Sequence, residues 1–527
     1  MDKCPNLRGD VKLRMSDDMT HSRTYWLMIP ILLFVCWAST QYFDEMLWYD
    51  EYWSYHFAFG DASSAPDSDV ITRLLDAGFW ERHPPGYYLM LNWTGGLFGT
   101  SEPALRFLSL FAGLLCLAWV YRMGKSITGT PIGGLGGVIT IGITTFFIHY
   151  THDIRMYTLI MLCMSATFAT YWELTTRDRL MFGTRAIFFI SLFWGMFSLY
   201  AVALSYGFLG VYHILFASKK RRWLETLAMM LISVALMAGW IGYYLINQSK
   251  IGQLLPGSSP DPISLMRFFS TFYTNDAPLF LAFIIGYALL HAKLLQRSTI
   301  WVGLLACGTL GSLLILSRFT PFYHPRAMMT LFPLVALIGA IAYGKMHTNR
   351  ARYGIIMGLW LLAFALQWVN IPPRLAPSAP YLDDWEQVTS FLDDCARPSD
   401  TVLFFFDEVS PELWRDVIDF YLPQTPYRNA ELAQMMRNPN RVNEMISTST
   451  NIWLMTFKRP HFITYRDYVG QFEDAVSQNF ALCPTQWELH DLTLRLYTPN
   501  DGRFVGCPEP PYTSDILTPC ERRLYNP

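Results

Sequence analysis

Residues 25–41 read YWLMIPILLFVCWASTQ, and residues 47–51 read LWYDE. The first stretch is an apolar run of the length that a helix needs to cross hydrocarbon, about 17 residues or more. The second stretch places two adjacent carboxylates, Asp50 and Glu51, a short distance beyond that run. Together they predict a membrane helix that is followed by acidic side chains at the membrane boundary.

The whole chain has the composition of a polytopic membrane protein. Of its 527 residues, 52% are hydrophobic and only 16% are charged, whereas a soluble domain carries roughly 25% charged residues. Long apolar runs recur up to residue 369 and predict about eleven crossings. They lie at 25–41, 104–121, 132–148, 156–172, 186–199, 201–216, 224–246, 279–295, 300–316, 327–343 and 353–369. The unbroken apolar stretch 186–216 is divided near Tyr200 because it is too long for one crossing.

Basic residues predict the orientation of these spans, since Lys and Arg are retained on the cytoplasmic side. The basic clusters fall before residue 24 and in alternate loops, so all of them lie inside if the N-terminus is inside. The predicted division is a cytoplasmic N-terminus at 1–24, a transmembrane domain at 25–370 with its first extracytoplasmic loop at 43–103, and an extracytoplasmic domain at 371–527. The first apolar run lacks a nearby small-residue cleavage site, so we expect it to remain as an anchor.

The segment after residue 370 has the pattern of a small α/β domain. Helical patterns at 383–396, 411–421 and 461–480 alternate with strand patterns at 401–406, 451–457 and 487–498, which predicts a parallel or mixed sheet. Its four cysteines, Cys395, Cys483, Cys507 and Cys520, are compatible with two disulfides in an oxidising compartment, and three pairings are open. Their spacing is not that of a zinc site. The formal net charge of -2 argues against a nucleic-acid partner.

Four polar constellations fall in the loops that face outward. They are Asp50-Glu51, the stretch 81–88 reading ERHPPGYY, the group His149, His152, Asp153, Arg155 and Tyr157, and His324-Pro325-Arg326. Each has an ordinary explanation, because acids at a helix end can be solvated and interfacial arginines can snorkel. Arginine is nevertheless disfavoured on the outer side, and its forked donors suit phosphate. Arg155 and Arg326 therefore indicate anion binding.

Taken in order, the motifs carry a resemblance. LWYDE at 47–51, HPPGYY at 83–88, and Phe98-Gly99 followed by Ser101-Glu102 and Ala104-Leu105-Arg106 resemble the opening of the GT-C glycosyltransferases. More narrowly, they are similar to the polyprenyl-phosphate-sugar-dependent branch with its protein mannosyltransferases, aminoarabinose transferases and rhizobial galacturonosyltransferase-like proteins. Arg155 with Tyr157, and His324-Pro325-Arg326, stand where that branch has its Arg-Tyr and late Arg motifs. The likeness covers essentially the whole membrane domain.

The resemblance implies an inverting transfer of a sugar from a polyprenyl-phosphate donor to an acceptor at the outer surface, in a bacterial inner membrane. It implies that Asp50 is the general base and that Glu51 orients the acceptor or the loop. The donor phosphate would be bound by positive and polar side chains; these are Arg155, Arg326, Arg82, His83, His324 and Tyr157. Arg106 would brace the first loop. The earlier acidic pair Asp44-Glu45 is a rival to Asp50, which is favoured because Leu-Trp-Tyr precedes it.

Several alternatives stay open. The acceptor can be a lipid, a polysaccharide or a protein, and the sugar is not specified by these motifs. No residue is assigned to a metal, although a divalent metal stays open because the resembled family has metal-free and metal-using members. Glu81-Arg82 only loosely resembles the acid-lysine pair of aminoarabinose transferases, so that sugar is in doubt. The alternative class is a transporter or lipid flippase, which would show ionisable residues at mid-span or broken helices.

The predicted topology can be tested with reporter fusions. A fluorescent protein fused after residue 220 should fluoresce, since that loop is predicted to be cytoplasmic, and alkaline phosphatase fused after residue 380 should be active. The same two reporters exchanged between the two positions serve as controls and should be silent. Phosphatase activity at position 220 would contradict the orientation.

Overall fold

The computed structural model describes the chain in part. The described residues are 26–41, 43, 47, 49–60, 69–77, 83–177, 181–219, 221–251, 297–316, 329–346, 388, 392, 395–396, 398–405, 428–432, 436, 438–457, 465–488 and 492–500. The chain divides into two compact units: Met1–Glu45 with Trp53–Leu375, and Met46–Tyr52 with Ala376–Pro527. A short segment of the predicted first loop, Met46–Tyr52, thus belongs to the second unit. The domain division predicted from the sequence stays a prediction.

The first unit is helical. Its helices are α1 (Trp26–Thr40), α2 (Tyr49–Phe59), α3 (Val70–Ala77), α4 (Gly86–Phe98), α5 (Glu102–Thr128), α6 (Pro131–Gly142), α7 (Thr145–His152), α8 (Tyr157–Thr176), α9 (Phe182–Ser198), α10 (Val202–Phe216), α11 (Arg221–Ile251), α12 (Arg297–Leu316) and α13 (Phe332–Met346). The start of α2 lies in the second unit and its remainder in the first. The break predicted near Tyr200 is confirmed, because α9 ends at Ser198 and α10 begins at Val202.

Two described helices are long and apolar enough to cross a membrane, Glu102–Thr128 and Arg222–Tyr243. Five more, α1, α9, α10 and parts of α12 and α13, are apolar but shorter. The span predicted at 132–148 is interrupted, because Pro131–Gly142 and Phe146–His152 are bent by 73° and form either one broken span or a re-entrant loop. Thr144 explains the break, since its side chain accepts a hydrogen bond from the Phe147 amide at 3.3 Å and starts a new helix. The predicted spans 279–295 and 353–369 lie outside the described residues.

The centre of the first unit is α5, which packs against α6, α8 and α13. The helices approach closely because α6 is rich in glycine, as is common where membrane helices pack. A Cβ atom at Gly134 would lie 2.6 Å from the Tyr121 carbonyl oxygen of α5. A Cβ atom at Gly136 would overlap the side chain of Tyr343 in α13. Larger residues at these two positions would therefore separate the three helices.

An ion pair ties the ends of α5 and α8. Glu173 has a side chain that is 1% exposed, and it accepts two hydrogen bonds from Arg122, at 2.9 Å and 2.6 Å. Arg177 approaches the same carboxylate at 3.4 Å. A forked arginine contact of this kind is among the stronger hydrogen-bonding geometries in proteins. Both arginines belong to clusters that the charge pattern places on the cytoplasmic side.

We expect Glu173→Gln to lower the free energy of unfolding by about 2 kcal/mol, because charge-assisted hydrogen bonds to a buried carboxylate are lost. Thermal unfolding of the purified protein in detergent measures the change. Glu225→Gln is the matched control, since the Arg185–Glu225 pair is longer, at 3.4 Å, and more exposed. It should cost less than about 1 kcal/mol. Equal losses of unfolding free energy in Glu173→Gln and Glu225→Gln would contradict the stabilising role of the Arg122–Glu173 pair.

The second unit contains a five-stranded sheet. Its strands are β1 (Thr401–Phe405), β2 (Arg428–Glu431), β3 (Ile452–Phe457), β4 (Phe480–Glu488) and β5 (Leu492–Pro499), in the order β2-β1-β3-β5-β4. β1 pairs in parallel with β2 and β3, with Thr401 opposite Arg428 and Ile452. β5 runs antiparallel to β3 and β4. The sheet is therefore mixed, one of the two arrangements that the sequence predicts.

Two helices pack their apolar faces on this sheet, α14 (Pro439–Thr448) and α15 (Tyr465–Val476). The buried core joins Leu403 and Leu454 of the sheet to Val442 of α14 and Phe472 of α15. Predictions for β1 and β3 are confirmed to within one residue. The helix predicted to reach residue 480 ends at Val476. Of the strand predicted at 487–498, residues 487 and 488 are the end of β4 and residues 492–498 belong to β5, while residues 489–491 lie outside the described part of the chain.

Not all of the second unit was foreseen. β2 and α14 have no counterpart in the predictions, since their sequences are short and polar. The predicted helix at 411–421 lies outside the described residues. Cys395 and Cys483 are buried and each is disulfide-bonded, as the even count of cysteines allows. Cys507 and Cys520 lie outside the described part of the chain.

A buried carboxylate connects the starts of β1 and β3. Asp400 is fully buried, and one of its oxygens accepts hydrogen bonds from the backbone and side-chain amides of Asn451, at 3.1 Å and 3.0 Å. Its other oxygen accepts from the indole N–H of Trp453 at 3.1 Å. A buried carboxylate with several donors is stable, but its loss leaves those donors unsatisfied.

We expect Asp400→Ala to destabilise the second unit by about 3 kcal/mol, since three donors lose a charged acceptor. Thermal unfolding followed by tryptophan fluorescence is a suitable measurement because Trp453 lies at the site. Asp474→Ala is the control, since Asp474 is an exposed residue of α15. A stability for Asp400→Ala that equals that of the control would contradict the structural role.

Candidate functional site

The acidic pair lies in the first turn of α2. The helix begins at Tyr49, so Asp50 and Glu51 stand at its N-terminal end. The free N–H groups and the dipole of a helix N-terminus favour negative charge there. Asp50 is partly buried and Glu51 is only 1% exposed. The pair therefore does not correspond to two fully solvated acids at a helix end.

One turn further along α2, a buried serine contacts a buried arginine. Ser54 is fully buried, and its hydroxyl oxygen accepts a hydrogen bond from Nη1 of Arg155 at 3.1 Å. Arg155 is 4% exposed. Residues three and four apart lie on the same face of a helix, so Ser54 shares a face with Asp50 and Glu51. The guanidinium of Arg155 thus contacts α2 at Ser54, on the same helical face as Asp50 and Glu51.

Arg155 is held by the turn between α7 and α8. The Asp153 carbonyl oxygen accepts hydrogen bonds from the Arg155 amide at 2.8 Å and from the Ser109 hydroxyl of α5 at 2.6 Å. Tyr157, the first residue of α8, is buried, and its ring lies 4.7 Å from the ring of Tyr150. This turn is therefore fastened to the central helix of the unit, which fixes the position of Arg155.

Arg106 contacts the beginning of the first loop. Its side chain is 1% exposed, and Nη1 donates to the Phe43 carbonyl oxygen at 2.9 Å. This contact joins Arg106 to the start of the first loop. The bracing role that the resemblance implies stays a prediction.

Two histidines lie on α7 near these arginines. His149 and His152 are buried, and their rings are edge to face at 5.4 Å. The hydroxyl of Thr151, which lies between them, is hydrogen-bonded to the hydroxyl of Ser39 in α1, with 2.5 Å between the two oxygens. Within the described ranges, no group of three or more His, Cys, Asp or Glu side chains is arranged to hold a metal ion.

His83 precedes the proline pair that leads into α4. Pro84 and Pro85 are buried, and α4 begins at Gly86. Arg82, His324 and Arg326 lie outside the described residues, so their approach to Arg155 stays a prediction. The same holds for the convergence of Asp50, Arg155 and Arg326 in one cavity.

Arg73 and Asn92 also contact α2, and Ser54 is the residue of α2 that contacts Arg155. None of the three was singled out as a site residue. Arg73 could have been found by the argument used for Arg155, because it is an arginine in a loop predicted to face outward. Ser54 carries no such signal. Asn92 carries no such signal either, and its amide nitrogen donates to the Ala58 carbonyl oxygen at 2.8 Å.

No family model and no curated protein sequence matches the chain. Among solved structures, it is similar to ArnT from Cupriavidus metallidurans in the apo state, with a TM-score of 0.55 and 10% identity over 90% of this chain and 98% of that one. The same protein bound to undecaprenyl phosphate gives a TM-score of 0.53 at 11% identity, with the same coverage. Similarity to the mycobacterial arabinofuranosyltransferase AftD is weaker, with a TM-score of 0.45 and 14% identity over 81% of this chain and 36% of that one.

The likeness to ArnT establishes a shared fold over almost the full length of both chains. ArnT is an aminoarabinose transferase, one of the kinds of protein that the sequence motifs resemble. The resemblance drawn from the sequence motifs is thus confirmed at the level of the fold.

Proposed function

We propose that this chain is an integral-membrane glycosyltransferase that moves a sugar from a polyprenyl-phosphate donor to an acceptor at the extracytoplasmic surface. The observation that carries the proposal is the contact of Arg155 with Ser54 on α2, the helix whose first turn holds Asp50 and Glu51. A cation and a carboxylate on one helical face suit a reaction with a phosphate leaving group and a hydroxyl nucleophile. That ArnT, which shares the fold, binds undecaprenyl phosphate supports this donor class.

Asp50 is the proposed general base. An acceptor hydroxyl is a weak nucleophile, and removal of its proton by a carboxylate during attack raises its reactivity. The oxygen forms a bond to the anomeric carbon as the bond from that carbon to the phosphate oxygen breaks, so the configuration inverts. The proton passes to Asp50, and the bonding electrons leave with the phosphate. Glu51, the next residue, is buried. It orients the acceptor or the first loop.

Arg155 is the proposed partner of the leaving phosphate. Negative charge grows on the phosphate as the sugar departs, and a preorganised guanidinium in a water-poor site stabilises that charge. Tyr157 and His83 assist from the neighbouring turns, and Arg82, His324 and Arg326 are proposed to complete the phosphate site. Arg106 acts indirectly, through the first loop that it contacts at Phe43.

The proposed location is the outer face of a bacterial inner membrane. The disulfides of Cys395 and Cys483 support an oxidising compartment for the second unit. The positive-inside pattern places the first loop on the same side. The acceptor class is left to experiment among a lipid, a polysaccharide and a protein.

Asp50→Asn should reduce transfer at least about 100-fold, because an amide cannot accept the proton. The assay incubates purified protein with a panel of polyprenyl-phosphate sugars and an extract of cell-envelope acceptors, with and without chelator, and detects products by mass spectrometry. Asp44→Asn is the matched control from the rival acidic pair and should retain activity. A Glu51→Gln variant should lose less than Asp50→Asn.

The thermal unfolding of Asp50→Asn should match that of the wild type, which separates lost chemistry from lost fold. Full transfer by Asp50→Asn, or its loss in Asp44→Asn, would refute the assignment of the base. Wild-type protein that moves a lipid-phosphate sugar across vesicles without forming a product would support the transporter alternative and refute the enzyme.

A further inference from the structure

The C-terminal end of α2 is held by two side chains from separate helices. The last carbonyl oxygens of a helix have no partner within it. At this end, Arg73 of α3 donates from Nε to the Phe57 oxygen at 3.1 Å and from Nη2 to the Ala58 oxygen at 2.7 Å. Asn92 of α4 donates from its amide nitrogen to the same Ala58 oxygen at 2.8 Å. Three hydrogen bonds thus converge on two carbonyl groups.

A glycine closes the helix immediately after these carbonyls. Gly60 has a φ of 77°, in the left-handed region that glycine adopts readily, and its amide donates to the His56 oxygen at 2.7 Å. Glycine closes many helices in this way. The additional forked arginine contact lies beyond what such an ending requires, and the positive charge of Arg73 also suits the negative end of the helix dipole.

Arg73 is itself fixed in place. Asp69 immediately precedes α3, and its side-chain oxygen accepts a hydrogen bond from the Thr72 amide at 2.9 Å. That hydrogen bond holds the pKa of the Asp69 carboxyl below its ordinary value. Arg73 is 8% exposed, and burial lowers the pKa of its guanidinium while the nearby charge of Asp69 acts to raise it. Burial of a guanidinium is costly unless it is hydrogen-bonded, and α2 supplies the acceptors.

Asn92 is also fixed in place, because α4 packs closely against both α2 and α9. A Cβ atom at Gly95 would overlap the ring of Phe59, the last residue of α2. A Cβ atom at Gly86 would overlap the Phe197 carbonyl oxygen and lie 2.9 Å from the Ser198 hydroxyl of α9. Contact at this range leaves α4 little freedom to slide, so the amide of Asn92 is presented to α2 from a fixed support.

We infer that Arg73 and Asn92 are positioning residues for the reaction, which fix the axial position and rotation of α2 and thereby the placement of Asp50. The inference rests on the proposed function. α2 has 11 residues, and at 1.5 Å per residue it is a rod of about 16 Å. A shift of its clamped end is carried to its first turn. Misplacement of a reacting group by about 1 Å can reduce a rate about 100-fold.

The test compares Arg73→Met, Arg73→Lys and Asn92→Leu with the wild type, all as the full chain. Arg73→Met removes every donor while keeping most of the side-chain length, and Arg73→Lys keeps the charge and one point of contact. Asp76→Asn is the matched control, because Asp76 is an exposed residue on the same helix. Each variant is assayed for kcat and for KM toward the lipid-phosphate donor, and by hydrogen exchange of the amides of residues 53–60.

We expect Arg73→Met and Asn92→Leu to lower kcat about tenfold to 100-fold, with KM for the donor changed less than about threefold. Arg73→Lys should recover part of the lost kcat, and Asp76→Asn should behave as the wild type. Hydrogen exchange should accelerate in residues 53–60 in the two damaging variants, with the core helix α5 unchanged. This pattern separates positioning from a general loss of fold.

Unchanged kcat and unchanged exchange in Arg73→Met and Asn92→Leu would overturn the inference. So would faster exchange throughout the first unit together with no recovery in Arg73→Lys, since that outcome assigns the two residues a merely structural role. Hydrogen exchange does not depend on any substrate. A wild-type protein without transferase activity would therefore refute the proposed function. Faster exchange confined to residues 53–60 in Arg73→Met and Asn92→Leu would still establish that these two residues hold the end of α2.

Discussion

Three buried guanidinium groups bind the chain between residues 43 and 58, and the arrangement of the first loop depends on them. Arg106 donates to Phe43, Arg155 to Ser54, and Arg73 to Phe57 and Ala58. An arginine buried in an apolar protein must find acceptors, because the loss of hydration is otherwise not offset. The backbone and one hydroxyl of this segment supply them. The requirement to satisfy these charges fixes the segment, and with it the helix that carries both acids.

This constraint joins structure to the proposed chemistry. α2 is contacted on one face at Ser54 and at its end by Arg73 and Asn92, so contacts with α3, α4 and the turn before α8 restrain it between Ser54 and Ala58. The proposed phosphate site uses one of these guanidinium groups, that of Arg155. A site built in this way needs little rearrangement when charge develops on a leaving phosphate, which is the condition under which electrostatic stabilisation is most effective.

Much of this could be predicted from the sequence, for physical reasons that differ from feature to feature. Long apolar runs locate helices reliably, and the break near Tyr200 followed from length alone. β1 and β3 were predicted because buried strands leave short, strongly apolar runs. The bend between α6 and α7 was missed because Thr144 and its neighbours do not interrupt the hydrophobic pattern. β4 was missed because its residues continue a helix-like pattern across residue 480.

The site shows the same division. Asp50 and Arg155 were singled out because charges at an outer membrane boundary are conspicuous, and Arg106 because it matches an arginine of the resembled family; the roles of all three stay predictions. Ser54 was not, since a serine within an aromatic helix has no distinguishing pattern until Arg155 is seen beside it. Arg73 and Asn92 act on backbone carbonyls, and such contacts depend on tertiary packing that no local pattern encodes.

We propose that Arg155 and Asp50 border one extracytoplasmic cavity that receives a lipid phosphate. The most direct measurement is an experimental structure of the full chain in lipid nanodiscs with bound undecaprenyl phosphate. We expect a phosphate oxygen within hydrogen-bonding distance of the Arg155 guanidinium, with the Asp50 carboxylate facing the same cavity. A phosphate bound away from Arg155, or an Asp50 side chain that opens onto a different surface, would contradict it.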